Sequence, residues 1–334
     1  MKKNILTLIV IFTFNIPLLS QVSAHREIER PISGEGPTKV RIFAGVLNIS
    51  DINAAKQVLD ADVYIVAAWK DPRLANLGSK KIIRPISEIW NPNISIINEQ
   101  NVKSMLPGDA VINPDGTVLF KMRLLGEFSQ KLDFSDFPFD TQRFVIKLAS
   151  RGYGPDEVEF TTDSTVQSVF SRELTIMEWN VLELNNIVKP YEITKNVRPI
   201  ASLTIEIIAE RKSNFYLFSF IIPLIFIILM SMSCFWLHRQ SLSAKVSVVV
   251  TSMLTLIAWR FTITGSLPKL SYLTRMDILI FFSTALIFLT ILEVVLGAFL
   301  ASHKKEHLAD RIDLHSRWVF PVVYLIVFLV SFVF

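Results

Sequence analysis

The stretch QSLSAKVSVVVTSMLTLIAWRFTITGSLP, Gln240 to Pro268, is apolar enough to sit as a helix in hydrocarbon, yet its hydroxyl residues are not scattered. Ser243, Ser247, Thr251, Leu254, Ala258 and Phe261 follow at steps of four or three, the spacing that keeps residues on one helical face. Hydroxyls facing hydrocarbon gain nothing, so the stripe is expected to face protein or water. Identical helices set around an axis would line a water-filled path with it. A pore is the leading reading.

The chain divides in two by composition. Of 334 residues 51% are hydrophobic and 19% charged, but unevenly. From Arg26 to Lys212 charges and Pro/Gly turns punctuate short apolar runs, whereas long apolar blocks dominate from Phe215 onward. A formal charge of +4, spread along the chain, excludes nucleic-acid binding as a function class.

Four blocks stand out, Phe215–Leu237, Leu242–Ile263, Met276–Leu300 and Trp318–Phe334. Each is close to the roughly 20 residues a helix needs to cross hydrocarbon. With the first half outside, the inner connections carry His238 and Arg239, then His303, Lys304, Lys305 and Arg311, the cationic bias of cytoplasmic loops. The outer connection Gly265–Arg275 is short. At the start of the chain, Lys2 and Lys3 precede an apolar run from Ile5 to Leu19 that ends in Val22-Ser23-Ala24, the pattern of a cleaved export signal. Residues 1–24 are therefore expected to be a signal peptide, 25–212 an exterior domain and 213–334 the membrane domain. The single cysteine, Cys234, allows no intrachain disulfide.

The exterior half reads as all-β. Val40–Leu47, Val58–Ala68, Val118–Leu125, Phe144–Leu148, Ile176–Leu184 and Leu203–Ile208 are rich in β-branched and aromatic residues. Turn dipeptides such as Asp71-Pro72, Asn91-Pro92 and Asp115-Gly116 separate them. The expected fold is an immunoglobulin-like β-sandwich followed by an all-α four-helix transmembrane bundle. The last strand runs nearly straight into the first span at Arg211, a stiff join able to carry movement inward.

Trp69-Lys70-Asp71-Pro72-Arg73-Leu74, Trp90-Asn91-Pro92, Phe137-Pro138-Phe139-Asp140, Arg211 before the first span, Pro223 within it, Leu267-Pro268-Lys269 and Phe320-Pro321 occur in order over nearly the whole mature chain. In these motifs the chain resembles the pentameric ligand-gated ion channels of the Cys-loop receptor superfamily, and within it the bacterial members. Gln130 and Phe144 stand where the cysteines of the family disulfide would be.

The resemblance implies a homopentamer in the bacterial plasma membrane with its first domain outside, embedded in lipid and passing monovalent ions. Ser243 and Ser247 would lie near the cytoplasmic mouth, Thr251 mid-pore, and Leu254, Ala258 and Phe261 above, with Leu254 the first candidate for a water-excluding gate and Phe261 the second. Phe137, Pro138, Phe139, Asp140 and Arg211 would couple the outer domain to Pro268 and Lys269. Two phenylalanines around a proline in a polar turn are costly when exposed, which also argues for contact there. The ligand site implied between subunits holds Ile97, Arg151, Tyr153, Tyr191 and Ile200 on one face and Tyr64 on the other. Arg151 would repel an amine, so a small carboxylate or anion is expected, with protons as the alternative trigger. Cations are the favoured ions, although Ser243-Ala244-Lys245 at the mouth offers no carboxylate, and anion selectivity is the alternative.

Intramembrane Glu293 is expensive in lipid and is expected to face protein or a water-filled crevice. Lys245 is expected to point away from the stripe, and Arg260, near the outer end, to snorkel. No catalytic constellation, cofactor motif or metal-ligand cluster is legible, which speaks against an anchored enzyme. A secondary transporter would normally show an internal repeat of spans, and none is found.

Overall fold

The computed structural model describes residues 29–31, 36–162, 178–238, 241–264 and 270–332. The expected export signal, Arg239, Pro268 and Lys269, and the start of the Ile176 strand lie outside these residues.

Among the described residues, eleven strands form two sheets. A seven-stranded sheet contains β1 (Thr38–Asn53), β2 (Val58–Lys70), β3 (Ile82–Pro85), β5 (Lys103–Ser104), β6 (Asp109–Ile112), β7 (Thr117–Ser129) and β9 (Val158–Thr161). A four-stranded sheet contains β4 (Ile94–Ile96), β8 (Thr141–Ser150), β10 (Trp179–Val188) and β11 (Ser202–Arg211). Alternation along the strands supplies the core: Val40, Ile42 and Ala44 of β1, and Val63 and Ile65 of β2, are buried together with Phe144, Ile146 and Leu148 of β8 and Leu203, Ile205 and Ile207 of β11. The five expected strand regions that fall wholly within the described residues are strands, each longer than expected, and Ile176–Leu184 is strand from Trp179 onward.

The segment joining β7 to β8 is closed without a disulfide. Gln130 Nε2 donates to the carbonyls of Phe128 (3.1 Å) and Val145 (3.0 Å), and its Oε1 accepts from Val145 N–H at 2.8 Å. Asn98 Nδ2 donates to Ser129 O and Val145 O, and its Oδ1 accepts from Lys147 N–H. Phe144 is buried edge-on against Trp179, with ring centroids 5.3 Å apart.

Among the described residues, four helices are long and apolar enough to cross a membrane: α1 (Asn214–Trp236), α2 (Leu242–Thr262, continuing to Thr264), α3 (Arg275–Ser302) and α4 (Glu306–Phe332). Only two residues separate Arg211 from Asn214. The first turns of α1 include a π-helical segment, Leu217–Ile221, ahead of Pro223, which has no N–H to give to the preceding turn. Thr274 caps α3 in a reciprocal box with Asp277.

The last helix departs from expectation. It begins at Glu306 instead of Trp318, so Arg311 lies in the helix and not in the connection. The polar segment before Trp318 has too low a hydropathy to be read as a span, but it coils against its neighbours with Ala309 and Ser316 buried.

Candidate functional site

At the junction of sheet and helices, Phe137 and Phe139 diverge. Phe137 is buried and meets Tyr216 of α1 edge-on at 4.9 Å, while Phe139 reaches Phe332 at the end of α4 at 5.5 Å. The turn thus touches the first and last helices. Beside it Arg211 Nε donates to Asp140 Oδ1 at 2.7 Å and Nη2 to Oδ2 at 3.0 Å. Three rings surround the guanidinium, Trp179 (4.2 Å), Phe137 (5.2 Å) and Tyr216 (5.5 Å from Cζ). Burial works against the charged form, but the hydrogen bonds and charge of Asp140 outweigh it and hold Arg211 above the ordinary arginine range.

Tyr272, Arg275 and its partner Asp136 escaped sequence reasoning at this junction. Tyr272 Oη accepts from Phe134 N–H at 2.9 Å. Arg275 N–H donates to Ser135 O at 3.0 Å, and its Nε donates to Asp136 Oδ1 at 2.7 Å. The start of α3 is thereby hydrogen-bonded to the Phe134–Asp136 turn. Charge complementarity between an acid in that turn and the first helical residue after the outer loop was the available signal.

Along α2 one face is buried and the other is not. Lys245, Val249, Ser252 and Leu256 are buried against the chain's own helices, whereas Ser243, Ser247, Thr251, Leu254, Ala258 and Phe261 are exposed, Leu254 to 63% and Phe261 to 75%. A single chain leaves the whole stripe uncovered. Arg260 is also exposed. Lys245 turns the opposite way, its Nζ 2.8 Å from Asp313 Oδ2 of α4. Glu293 of α3 is buried beside this pair.

Of the expected ligand residues, five gather around the four-stranded sheet. Ile97 N–H bonds Lys147 O of β8, Arg151 N–H bonds Asn93 O, and Tyr153 O accepts from Ala201 N–H next to Ile200. Tyr191 and Ile200 exchange both backbone hydrogen bonds, at 2.9 and 3.0 Å, closing the loop between them. Tyr153 Oη accepts from Trp90 Nε1 at 3.0 Å, and Trp90 packs edge-on against Trp69 at 6.0 Å. Trp69 and Trp90 are therefore core aromatics, and Asp71 and Arg73 pair bidentately beside them. The Arg151 side chain is 64% exposed, with Glu99 3.9 Å away. Tyr64 sits on β2 of the other sheet, so one chain does not bring it to this group. No metal-holding cluster of His, Cys, Asp and Glu occurs among the described residues.

Residues 17–213 match the family model described as neurotransmitter-gated ion-channel ligand binding domain, and residues 220–308 match that of the neurotransmitter-gated ion-channel transmembrane region. The chain is 26% identical over 301 residues to a proton-gated ion channel of Gloeobacter violaceus, covering 89% of this chain and 82% of that protein. It is 25% identical over 287 residues to gamma-aminobutyric acid receptor subunit rho-3 of Rattus norvegicus, covering 82% of this chain. That alignment spans 61% of the rat subunit's length.

Proposed function

The chain belongs to the neurotransmitter-gated ion-channel family, a family of ligand-gated channels and not of enzymes, and from that premise we propose that five copies surround a pore lined by the stripe of α2. The observation that carries this reading is that the stripe Ser243, Ser247, Thr251, Leu254, Ala258 and Phe261 lies opposite the buried Lys245, Val249, Ser252 and Leu256, on an exposed surface whose flanks carry Val246, Val250 and Ile257. In a pentamer the hydroxyl rings give a permeating ion polar contacts. Leu254 or Phe261 rings close the path by excluding water when the helices draw together.

The agonist acts between β-sandwiches, at the Arg151, Tyr153, Tyr191 and Ile200 face of one subunit and Tyr64 of the next. The two relatives are named for protons and for gamma-aminobutyric acid, and both triggers are open to this chain. The exposed Arg151 guanidinium favours a small carboxylate. Binding moves the sandwiches, and Phe137, Phe139, Asp140 and Arg211 hand that movement to the helices near Pro268 and Lys269. A ligand shifts this balance only by its difference in affinity for the two states. Cations are the favoured ions, because Lys245, the charge nearest the stripe's inner end, turns away from it.

The test is current recording from purified protein in planar bilayers, with a screen of pH and small carboxylates and with salt diluted on one side. Gated currents reversing toward the cation equilibrium potential are expected. Saturable substrate flux without channel currents would instead make the protein a transporter, and reversal toward the chloride potential an anion channel.

A further inference from the structure

Lys245, Asp313 and Glu293 form a cluster of ionisable side chains within the helical bundle that the proposed gating does not use. Lys245 lies in the first turn of α2, Asp313 in the polar first half of α4 and Glu293 on α3, so three helices each contribute one group. The Lys245 side chain is 5% exposed and the Asp313 side chain 16%. Together they border a cavity of about 140 Å³ with Leu242 and Gly297.

Stability alone does not explain the arrangement, since a buried ion pair is often no better than apolar packing of the same volume. Its geometric effect is definite. A lysine stem is long and flexible, and one starting at the first turn of α2 could reach water at the cytoplasmic end by snorkelling. Asp313 takes its ammonium in the opposite direction, onto the outer helix. Ser243 and Ser247 are left as the polar groups at that end of the exposed face.

We propose that Asp313 is a selectivity-determining positioning residue: by holding Lys245 off the axis it keeps a ring of five positive charges out of the cytoplasmic mouth, so that cations pass without an acidic ring. This rests on the reading of α2 as the pore helix. Without the aspartate, the five ammonium groups turn to the aqueous mouth and favour anions.

The experiment measures the sodium-to-chloride permeability ratio from reversal potentials in asymmetric sodium chloride. Asp313→Asn is expected to lower the ratio about fivefold or more, the scale of one added charge contact in water. Asp313→Glu is expected to retain it, and Lys245→Met in the Asp313→Asn background to restore it. A ratio unchanged in Asp313→Asn, or a shift that persists in the double variant, overturns the proposal. If Asp313→Asn does not assemble, Lys245→Met alone decides. An unchanged ratio agrees with a lysine already off the axis, whereas a rise of about fivefold places the ammonium in the ion path and overturns it. A wild-type channel that prefers chloride would defeat the cation reading separately, leaving the difference between variants still readable.

Discussion

Arg211 and Asp140 are joined by two hydrogen bonds of 2.7 and 3.0 Å with both side chains only 2% exposed, at the point where the last strand becomes the first helix. A third bond, Arg211 N–H to Asp140 O at 3.1 Å, ties their backbones. Removing the carboxylate leaves the guanidinium with the weaker Tyr216 hydroxyl at 3.4 Å and the exposed Glu178 at 3.9 Å. Asp140→Ala is therefore expected to cost about 3–5 kcal/mol, and the apolar pair Asp140→Leu with Arg211→Met to recover much of it. Thermal unfolding of the wild type and these two variants measures both effects. If the apolar pair also restores wild-type gating, the ion pair is an interdomain staple and nothing more.

Gln130 does locally what a covalent bridge would do at the base of the β7–β8 segment. Gln130→Ala removes the acceptor for Val145 N–H within the sheet, and leaving such a group unpaired costs about 1–3 kcal/mol. A lower melting temperature with unchanged agonist sensitivity is expected. An unaltered melting temperature would show that Asn98 alone holds the segment.

Tyr272 and Arg275 attach the head of α3 to the Phe134–Asp136 turn, so they should influence gating more than folding. The Arg275–Asp136 pair is half-exposed and worth at most about 1 kcal/mol to stability. Tyr272→Phe deletes the acceptor for Phe134 N–H and is expected to move half-maximal activation about two- to tenfold, the range of one hydrogen bond. Dose-response curves alongside surface expression separate the two effects.

Asp60 faces Asp51 across one strand pair and Glu127 across the other, like charges directly opposite on both sides. Partial burial, then Glu127, then Asp51 push its carboxyl above the ordinary range. Because the folded pKa is raised, the folded state carries the repulsion in full at neutral pH and sheds it as pH falls through that raised value. Asp60→Asn should thus stabilise the fold at pH 7, by about 0.2–1 kcal/mol for each relieved pair, and raise the melting temperature. The gap from wild type should narrow in mild acid. A gap that widens on acidification would contradict this assignment.

Much of the architecture could be read from pattern, because alternation in β1, β2, β8 and β11 and hydropathy in α1 to α3 are strong local signals. The Glu306–Ser316 stretch was not legible: its charged residues hold the hydropathy below that of a span, and packing against α3, with Ala309 and Ser316 buried, makes it the start of a helix. The Phe137–Asp140 turn and Arg211 could be found as motifs, but their ring cage and bidentate geometry could not. Lys245 was expected to point away from the stripe, yet its partner lies 68 residues further on, beyond any local periodicity. Tyr64 is a different case, since a single chain leaves it apart from the other ligand residues.

If one face of α2 lines the ion path, the accessibility of cysteines placed along that helix will follow its periodicity. The chain has a single cysteine, buried Cys234, so Cys234→Ala gives a clean background. Cysteines placed singly at 247, 249, 251, 252, 254, 256 and 258 would be exposed to a charged thiol reagent during gated current. Block at 247, 251, 254 and 258, with little effect at 249, 252 and 256, is the predicted result. Block without that periodicity, or confined to 249, 252 and 256, would contradict the claim.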